Sequence, residues 1–292
     1  KEAEGDQPEE TQQLGYVFET ADQDGGPEFD IRNDDPVFQF TAPADGSYRV
    51  LIRDAYGDVH VDPRRVYRLA IHNGQPDFRL AAVAEGSHSA VLLRKGGQAA
   101  IRVVAFRRHG FDGEISVSAT GLPAGVTATT GVIGPDSNHT MLVLSAAPNA
   151  NEATGLIQVA GSAQIGNAKA TRTARFGVAL EKTTARQNSN QIPPTVMGRI
   201  SENLAVSISA DETSPITGFA AGDGKIIELP RGGKTKIPIA RSGVFKGKIN
   251  FMPRGVPANV TAPAGAINAN QTAGELQIDL RNNTPTGTYT FY

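Results

Sequence analysis

Sixteen residues from Gly113 to Ala128, GEISVSATGLPAGVTA, return 134 positions later from Gly247 to Ala262 as GKINFMPRGVPANVTA, without a gap. Gly113 matches Gly247 ahead of a strand pattern, and Ile115 matches Ile249 within it. Gly121-Leu122-Pro123 matches Gly255-Val256-Pro257 at the turn that follows. Val126-Thr127-Ala128 matches Val260-Thr261-Ala262 where the next strand begins. Glycine, proline and β-branched residues set backbone direction rather than chemistry, so the repeat describes a fold unit and not an active site. No helical period of useful length interrupts it. The chain reads as all-β.

Further matches extend the register. Lys95-Gly96-Gly97 is echoed by Arg231-Gly232-Gly233, Gly131 and Ile133 by Gly265 and Ile267, and Leu142 and Leu144 by Leu276 and Ile278. Between the Gly pairs and the repeat the later copy is two residues shorter. The hairpin tip around Arg107–Phe111 and Arg241–Phe245 is the expected place for that difference, because loop length costs little there. Candidate strands of the earlier copy are 90–94, 99–107, 114–119, 126–129, 140–145, 156–159 and 171–179. Seven short strands with turns between them suggest an immunoglobulin-like sandwich. The later copy stops at Tyr292, aligned near Ala160, and would need about 20 more residues to include a counterpart of the strand at Arg175–Ala179. The sequence therefore predicts a fragment of a larger protein, or a closing strand from elsewhere, with strand exchange or assembly through the third domain.

The expected organisation follows. Residues 1–13 form a disordered acidic lead-in. Residues 14–84 form a first small β-sandwich, with strand patterns at 16–19, 37–42, 48–54, 66–72 and 78–83. Residues 85–180 form the first immunoglobulin-like sandwich. Residues 181–202 form a polar linker carrying Pro193-Pro194, and 203–292 form the second, incomplete sandwich. With no Cys and no Trp in 292 residues, the cores rest on Val, Ile, Leu, Ala and Phe, and no disulfide contributes. The opening KEAEGDQPEE has no Met and no apolar core, which reads as a removed leader or a piece of a longer chain. No apolar run is long enough to span a membrane.

Charge separates along the chain. Residues 1–35 carry 12 acidic and 2 basic side chains, while the whole chain has a net charge of only −2. A solvated acidic lead-in before a mildly basic body is the expected consequence. Arg107-Arg108 is the one tight basic pair in a suitable place, so nucleic acid is not an expected partner.

Phe38-x-Phe40-x-Ala42-x-x-Asp45-Gly46-x-Tyr48-x-Val50, Tyr67-Arg68-Leu69 and Pro76-Asp77-Phe78-x-Leu80 resemble bacterial pre-peptidase C-terminal domains. The form is similar to that of large exported planctomycete-type proteins, where sandwiches with comparable turns follow. Here those turns are Gly96-Gly97, Gly110-Phe111-Asp112-Gly113 and Gly121-Leu122-Pro123-Ala124-Gly125-Val126, with Asn259 in place of the last Gly in the later copy. The resemblance covers about residues 15–180 well and the third domain more loosely. It implies a jelly-roll-like first domain followed by immunoglobulin-like repeats. It also implies a non-catalytic, secreted or cell-surface module that binds a protein or polysaccharide surface. Two alternatives stay open: an accessory region of a secreted peptidase or other hydrolase whose catalytic domain lies elsewhere, and a structural surface-assembly protein. Related domains bind matrix protein, and some bind calcium.

The residues themselves point away from catalysis. His60, His72, His88, His109 and His139 sit in no HExxH pattern, and no GxSxG occurs. Arg231-Gly232-Gly233-Lys234-Thr235 has part of a phosphate-loop pattern, but Glu228 occupies the place of its first Gly. Asn138, Asn259, Asn270 and Asn282 open formal glycosylation triplets and read as turn residues. Calcium is the candidate ligand. Asp22, Asp24, Glu28, Asp30, Asp34 and Asp35 concentrate carboxylates in a Gly-containing loop, and a hard cation takes six to eight oxygens. EF-hand spacing fails there because Gly26 comes one position early. Asp54, Asp58 and Asp62 form a second acidic loop.

Overall fold

Alternation of apolar and polar residues governs the chain from Asp77 onward, and it produces strands with no helix among the described residues. The computed structural model describes residues 40–50, 69–71, 73–85, 90–135, 137–179, 198–220 and 226–292, with the backbone at 23–24 and 30–31. Two units result: residues 1–24 with 30–74, and residues 25–29 with 75–292. No helix among the described residues is long and apolar enough to cross a membrane.

In the first unit, β1 (Gln23–Asp24) pairs antiparallel with β2 (Asp30–Ile31). The Asp45-Gly46 signal lies in a bend over residues 43–46. Phe40 and Tyr48 meet edge-on across it at 5.0 Å, and the Tyr48 hydroxyl donates to the Ala44 carbonyl at 2.6 Å. Residues 40–42, 48–50 and 69–71, expected in strands, carry no ladder and are all exposed. Alternation makes a strand only where a neighbour accepts its backbone groups. The expected strand at 16–19, the lead-in and residues 181–197 of the linker lie outside the described residues.

The second unit begins with twelve strands. They are β3 (Asp77–Ala84), β4 (Ala90–Lys95), β5 (Gln98–Arg108), β6 (Ile115–Thr120), β7 (Val126–Ala128) and β8 (Gly131–Ile133). β9 (His139–Ala146), β10 (Ala153–Ile165), β11 (Ala168–Thr173), β12 (Arg175–Ala179), β13 (Gly198–Ser201) and β14 (Leu204–Thr213) follow. One sheet runs β4-β14-β10-β6-β8, with β11 also on β10. The other runs β13-β12-β3-β5-β9-β7. Their apolar faces share one core. Phe78, Leu80, Ile101, Val103, Leu142 and Leu144 come from the second sheet, and Val91, Leu93, Ile115, Ile157, Val159 and Val206 from the first. Burying each large aliphatic side chain contributes about 1.5–3 kcal/mol.

Two pairings differ from the sequence expectation. Phe78–Val83, expected in the domain 14–84, lies in β3, which pairs antiparallel along β5 from Asp77↔Arg108 to Ala84↔Ile101. Residues from 203 onward, expected to open the third domain, instead complete this core. β14 pairs parallel with β4 and antiparallel with β10, and Leu204, Val206 and Ile208 are 0–4% exposed. The physical reason is a gap: β4 and β10 share one sheet but do not touch, and β14 fills the space between them. The expected strand at 171–179 is two strands. Ala174, fully buried, is where the chain leaves β11 in one sheet for β12 in the other.

Beyond β14, residues 214–216 lead to β15 (Thr217–Ala220), β16 (Lys234–Ser242), β17 (Ile249–Phe251), β18 (Val260–Thr261), β19 (Gly265–Ile267) and β20 (Ala273–Leu280). β15-β16-β20-β18 form one sheet and β17-β19 another. β16 reproduces β5, and β17 to β20 reproduce β6 to β9. We expect Ile208→Ala to destabilise the β3–β14 set by about 2–5 kcal/mol in urea unfolding. Amide exchange in β4 and β10 should accelerate with it. Unchanged exchange in β4 would show that β14 is not part of that core.

Candidate functional site

The repeated residues close the ends of the strands. Arg94-Lys95-Gly96-Gly97 is a tight turn in which the Gly97 amide donates to the Arg94 carbonyl at 2.8 Å and Gly96 has φ +69°. Only the third residue is left-handed, the type II pattern that favours glycine. Pro230-Arg231-Gly232-Gly233 repeats it, with the same 2.8 Å bond and φ +72° at Gly232. The phosphate-loop-like run is thus a tight turn leading into β16. At the next turn Gly125 has φ +81°, and Asn259, which replaces it, has φ +66°. Asparagine is among the few side chains that tolerate this region, so the substitution preserves the turn.

Gly-Phe-x-Gly also has a physical reading. The Phe111 ring lies over Gly113, where an added Cβ would come within 3.0 Å of it, and Phe245 lies still closer over Gly247. Phe111 stacks on Phe78 at 5.5 Å, and the Arg107 guanidinium sits 5.3 Å from its centroid. Sequence reasoning missed what this arginine does. Arg107 donates to the carbonyls of Gly113 (2.6 Å), Gly134 (2.8 Å) and Ser137 (3.3 Å). Arg241 donates to those of Gly247, Gln271 (2.6 Å) and Asn268 (3.3 Å), and is only 7% exposed. The guanidinium fork ties three loop segments together in each module. The signal was present, since Arg107 and Arg241 share the spacing of the repeat. The two-residue length difference falls just before them, at the strand end: Val104↔His139 corresponds to Ala240↔Ala273.

The two modules meet along a polar seam. The Ser214 amide donates to the Lys95 carbonyl at 2.8 Å, and the Thr217 hydroxyl to the Gly96 carbonyl at 2.7 Å. At the β8 edge, the Val132 amide donates to Thr290 Oγ1 at 3.0 Å, and the Thr140 hydroxyl to the Thr290 carbonyl at 3.3 Å. The Thr288 amide donates to the Glu114 carboxylate at 2.6 Å, and the Tyr289 hydroxyl to the Pro135 carbonyl at 3.2 Å. Gly255 lies against Met141, which is 1% exposed on the face of β9 opposite the core.

The later module leaves apolar surface uncovered. Ile101, Val103, Ile115 and Val117 are 0–1% exposed, whereas their counterparts Ile237, Ile239, Ile249 and Phe251 are half-buried. Val91 is 3% exposed, and its counterpart Ile227 is 49%. Ile226, at 76%, and Met252, at 62%, are exposed next to them in the chain. The opposite face of β16 and β20 is charged. Lys234 pairs with Asp279 at 2.6 Å and Lys236 with Glu275 at 2.8 Å, and the Glu275 hydrogen bond holds the Lys236 ammonium above its ordinary pKa.

The side chains of Asp22, Asp24, Glu28, Asp30, Asp34 and Asp35 lie outside the described residues, as do Asp54, Asp58 and Asp62. The backbone does set Asp24 opposite Asp30. Among the described residues no group of three or more His, Asp or Glu could hold a metal. His60, His72 and His88 are outside the described residues. His139 Nδ1 lies 2.8 Å from Asn138 Oδ1, and His109 occupies a left-handed turn position. Asn270, also left-handed, sits in a turn, as does Asn259.

No family model matches the sequence, and no match to a curated protein was found. Among solved structures, surface layer protein SbsC, domains 4–9, aligns with a TM-score of 0.29 and 12% identity. The alignment covers 75% of this chain and 29% of that one. We expect Arg241→Ala to cost about 3 kcal/mol, because it removes a buried guanidinium and leaves the carbonyls of Gly247, Gln271 and Asn268 without their donor. Asn259→Gly should stay within about 0.5 kcal/mol, whereas Gly125→Ala should cost at least about 1–2 kcal/mol. Thermal unfolding of the three variants checks the order.

Proposed function

We propose that this chain is a non-catalytic binding or spacer segment of a larger exported bacterial protein, secreted or held at the cell surface. In this reading a jelly-roll-like sandwich of pre-peptidase C-terminal type is followed by two immunoglobulin-like sandwiches, built on the sets β3–β14 and β15–β20. The observation that carries the reading is how the repeated residues are used. Arg107, Arg241, Phe111, Gly113 and Gly247 all serve strand ends and turns: the two arginines hold loop carbonyls, and the Phe111 and Phe245 rings lie over the two glycines. The three-residue connection at 214–216 and the seam at 288–290 hold successive modules at short range, as a spacer requires. Loops at module ends would carry recognition of a protein or polysaccharide.

Brief protease treatment of intact producing cells tests this. Peptides cut at the exposed stretches 40–50, 226–228 and 242–246 should be released before any cytoplasmic marker. Their appearance only after lysis would overturn a surface location.

A structural surface-assembly role is the second reading, and the half-covered apolar face of the later module favours it. Calcium belongs to the proposal through the loop holding Asp22, Asp24, Glu28, Asp30, Asp34 and Asp35, where β1 and β2 bring the backbones of Asp24 and Asp30 opposite each other. Calorimetric titration with calcium should give saturable heat and raise the melting temperature of the chain. An absence of both would remove the site.

A further inference from the structure

Two modules joined by a short connection ordinarily swing about it, because one connection is one pivot. Here the connection at 214–216 is itself pinned on both sides. The Ser214 amide donates to the Lys95 carbonyl and the Thr217 hydroxyl to the Gly96 carbonyl, both in the β4–β5 turn of the earlier module. On the side of the later module, the Phe245 amide donates to the Pro215 carbonyl at 3.2 Å, and Gly243 packs against the same proline. The connection is held between the modules rather than hung between them.

A second attachment lies further along the earlier module. Residues 286–292 are tied to their own module at two places: the Arg231 guanidinium donates to Thr286 Oγ1 at 3.2 Å, and Arg254 and Tyr292 exchange both main-chain hydrogen bonds. Between those places the segment lies on the earlier module. Gly287 abuts Pro135, the Thr288 amide reaches the Glu114 carboxylate, and the Tyr289 ring covers Gly134. Thr290 accepts from the Val132 amide and the Thr140 hydroxyl. Thr140 and Met141 are consecutive in β9, so their side chains point to opposite faces of the sheet. Thr290 holds the first and Gly255 lies against the second, which means that the later module grips β9 from both sides. Gln98 adjoins the first attachment and Val103 is the ladder partner of Thr140 at the second. The two attachments are therefore about 17 Å apart along β5, at about 3.3 Å per residue.

We propose that residues 286–292 are a clasp that locks the two modules at one fixed angle, so that they move as a single rigid body. A lone pivot leaves rotation free in every direction. A second pin at a distance leaves only rotation about the line between the pins, and the grip on both faces of β9 stops that one as well. Gly134 makes the close approach possible, since a Cβ there would come within 2.5 Å of the Tyr289 ring and 2.8 Å of the Thr288 carbonyl. The inference goes beyond the spacer reading: a locked joint fixes the direction of one module relative to the other, and not only their separation.

The full chain has no cysteine, so pairs of introduced cysteines carry spin labels without background. Ser118→Cys with Gln277→Cys spans the two modules, and Ser118→Cys with Gln98→Cys stays within the earlier one; all of these positions are exposed. Pulsed dipolar spectroscopy should give one inter-module distance whose spread matches that of the within-module pair. Gly134→Ala, which drives a methyl group into the Tyr289 ring, should broaden the inter-module spread by about twofold or more and leave the within-module spread unchanged. Should Gly134→Ala disturb the earlier module itself, the within-module pair reports it, and the double variant Tyr289→Ala with Thr290→Val, which alters only the clasp, decides in its place. An inter-module spread that is already about twofold broader than the within-module one before any clasp substitution would overturn the proposal. So would a spread that stays narrow in the clasp variants, by showing that the connection at 214–216 suffices. Surface location does not enter this measurement, and the protease experiment reads it independently.

Discussion

Backbone groups in the middle of a sheet must find partners on both sides, and in this chain one sheet can meet that demand only with β14. β4 and β10 are too far apart to pair. Leu204, Val206 and Ile208 bring both a hydrogen-bonding bridge and a complete apolar face into the gap. Leaving the groups on either side unpaired would cost about 1–3 kcal/mol each. A single inserted strand thereby governs where the earlier module ends and why the next begins so abruptly. Only residues 214–216 separate β14 from β15, and the Ser214 and Thr217 bonds to the β4–β5 turn fix that passage.

The same demand explains the contrast between the two modules. Their shared residues hold the same turns, and the same arginine fork ties the same loops. Burial nevertheless differs sharply at matched positions, because burial depends on neighbours rather than on the residue. Ile115, with β10 beside it in the sheet, is fully buried, while Ile249 stays half-covered. The charged face of β16 and β20 stays in water in either case, and its ion pairs are of the exposed kind that contribute little.

Much of this architecture was legible in the sequence. Gly96-Gly97, Gly121 and Gly125 announced their turns, and the strand runs at 90–94, 99–107 and 140–145 fell within a few residues of β4, β5 and β9. Leu142 and Leu144 match Leu276 and Ile278 in the repeat, and all four are buried. Strand order was not legible, because alternation says which face is apolar but not which strand lies beside it. For that reason Phe78–Val83 and Leu204–Thr213 were grouped with their sequence neighbours rather than with their ladder partners. Arg107 and Arg241 also looked like loop charge, since a guanidinium that caps carbonyls has no sequence signature apart from its place in the repeat. The candidate calcium loop was legible only as composition.

The sheet crossings at Ala174 and between β13 and β14 bear on how the molecule assembles in time. Ala90 and Ala205 are ladder partners, yet more than a hundred residues of chain lie between them. A ribosome making this protein releases β4 long before β14 exists. The earlier module must therefore wait, with β4 and β10 presenting open edges, until the chain has been synthesised past position 213. Long-range pairing of this sort folds slowly and is vulnerable to wrong partners. An export route that holds the chain extended until synthesis is over would protect it during that interval.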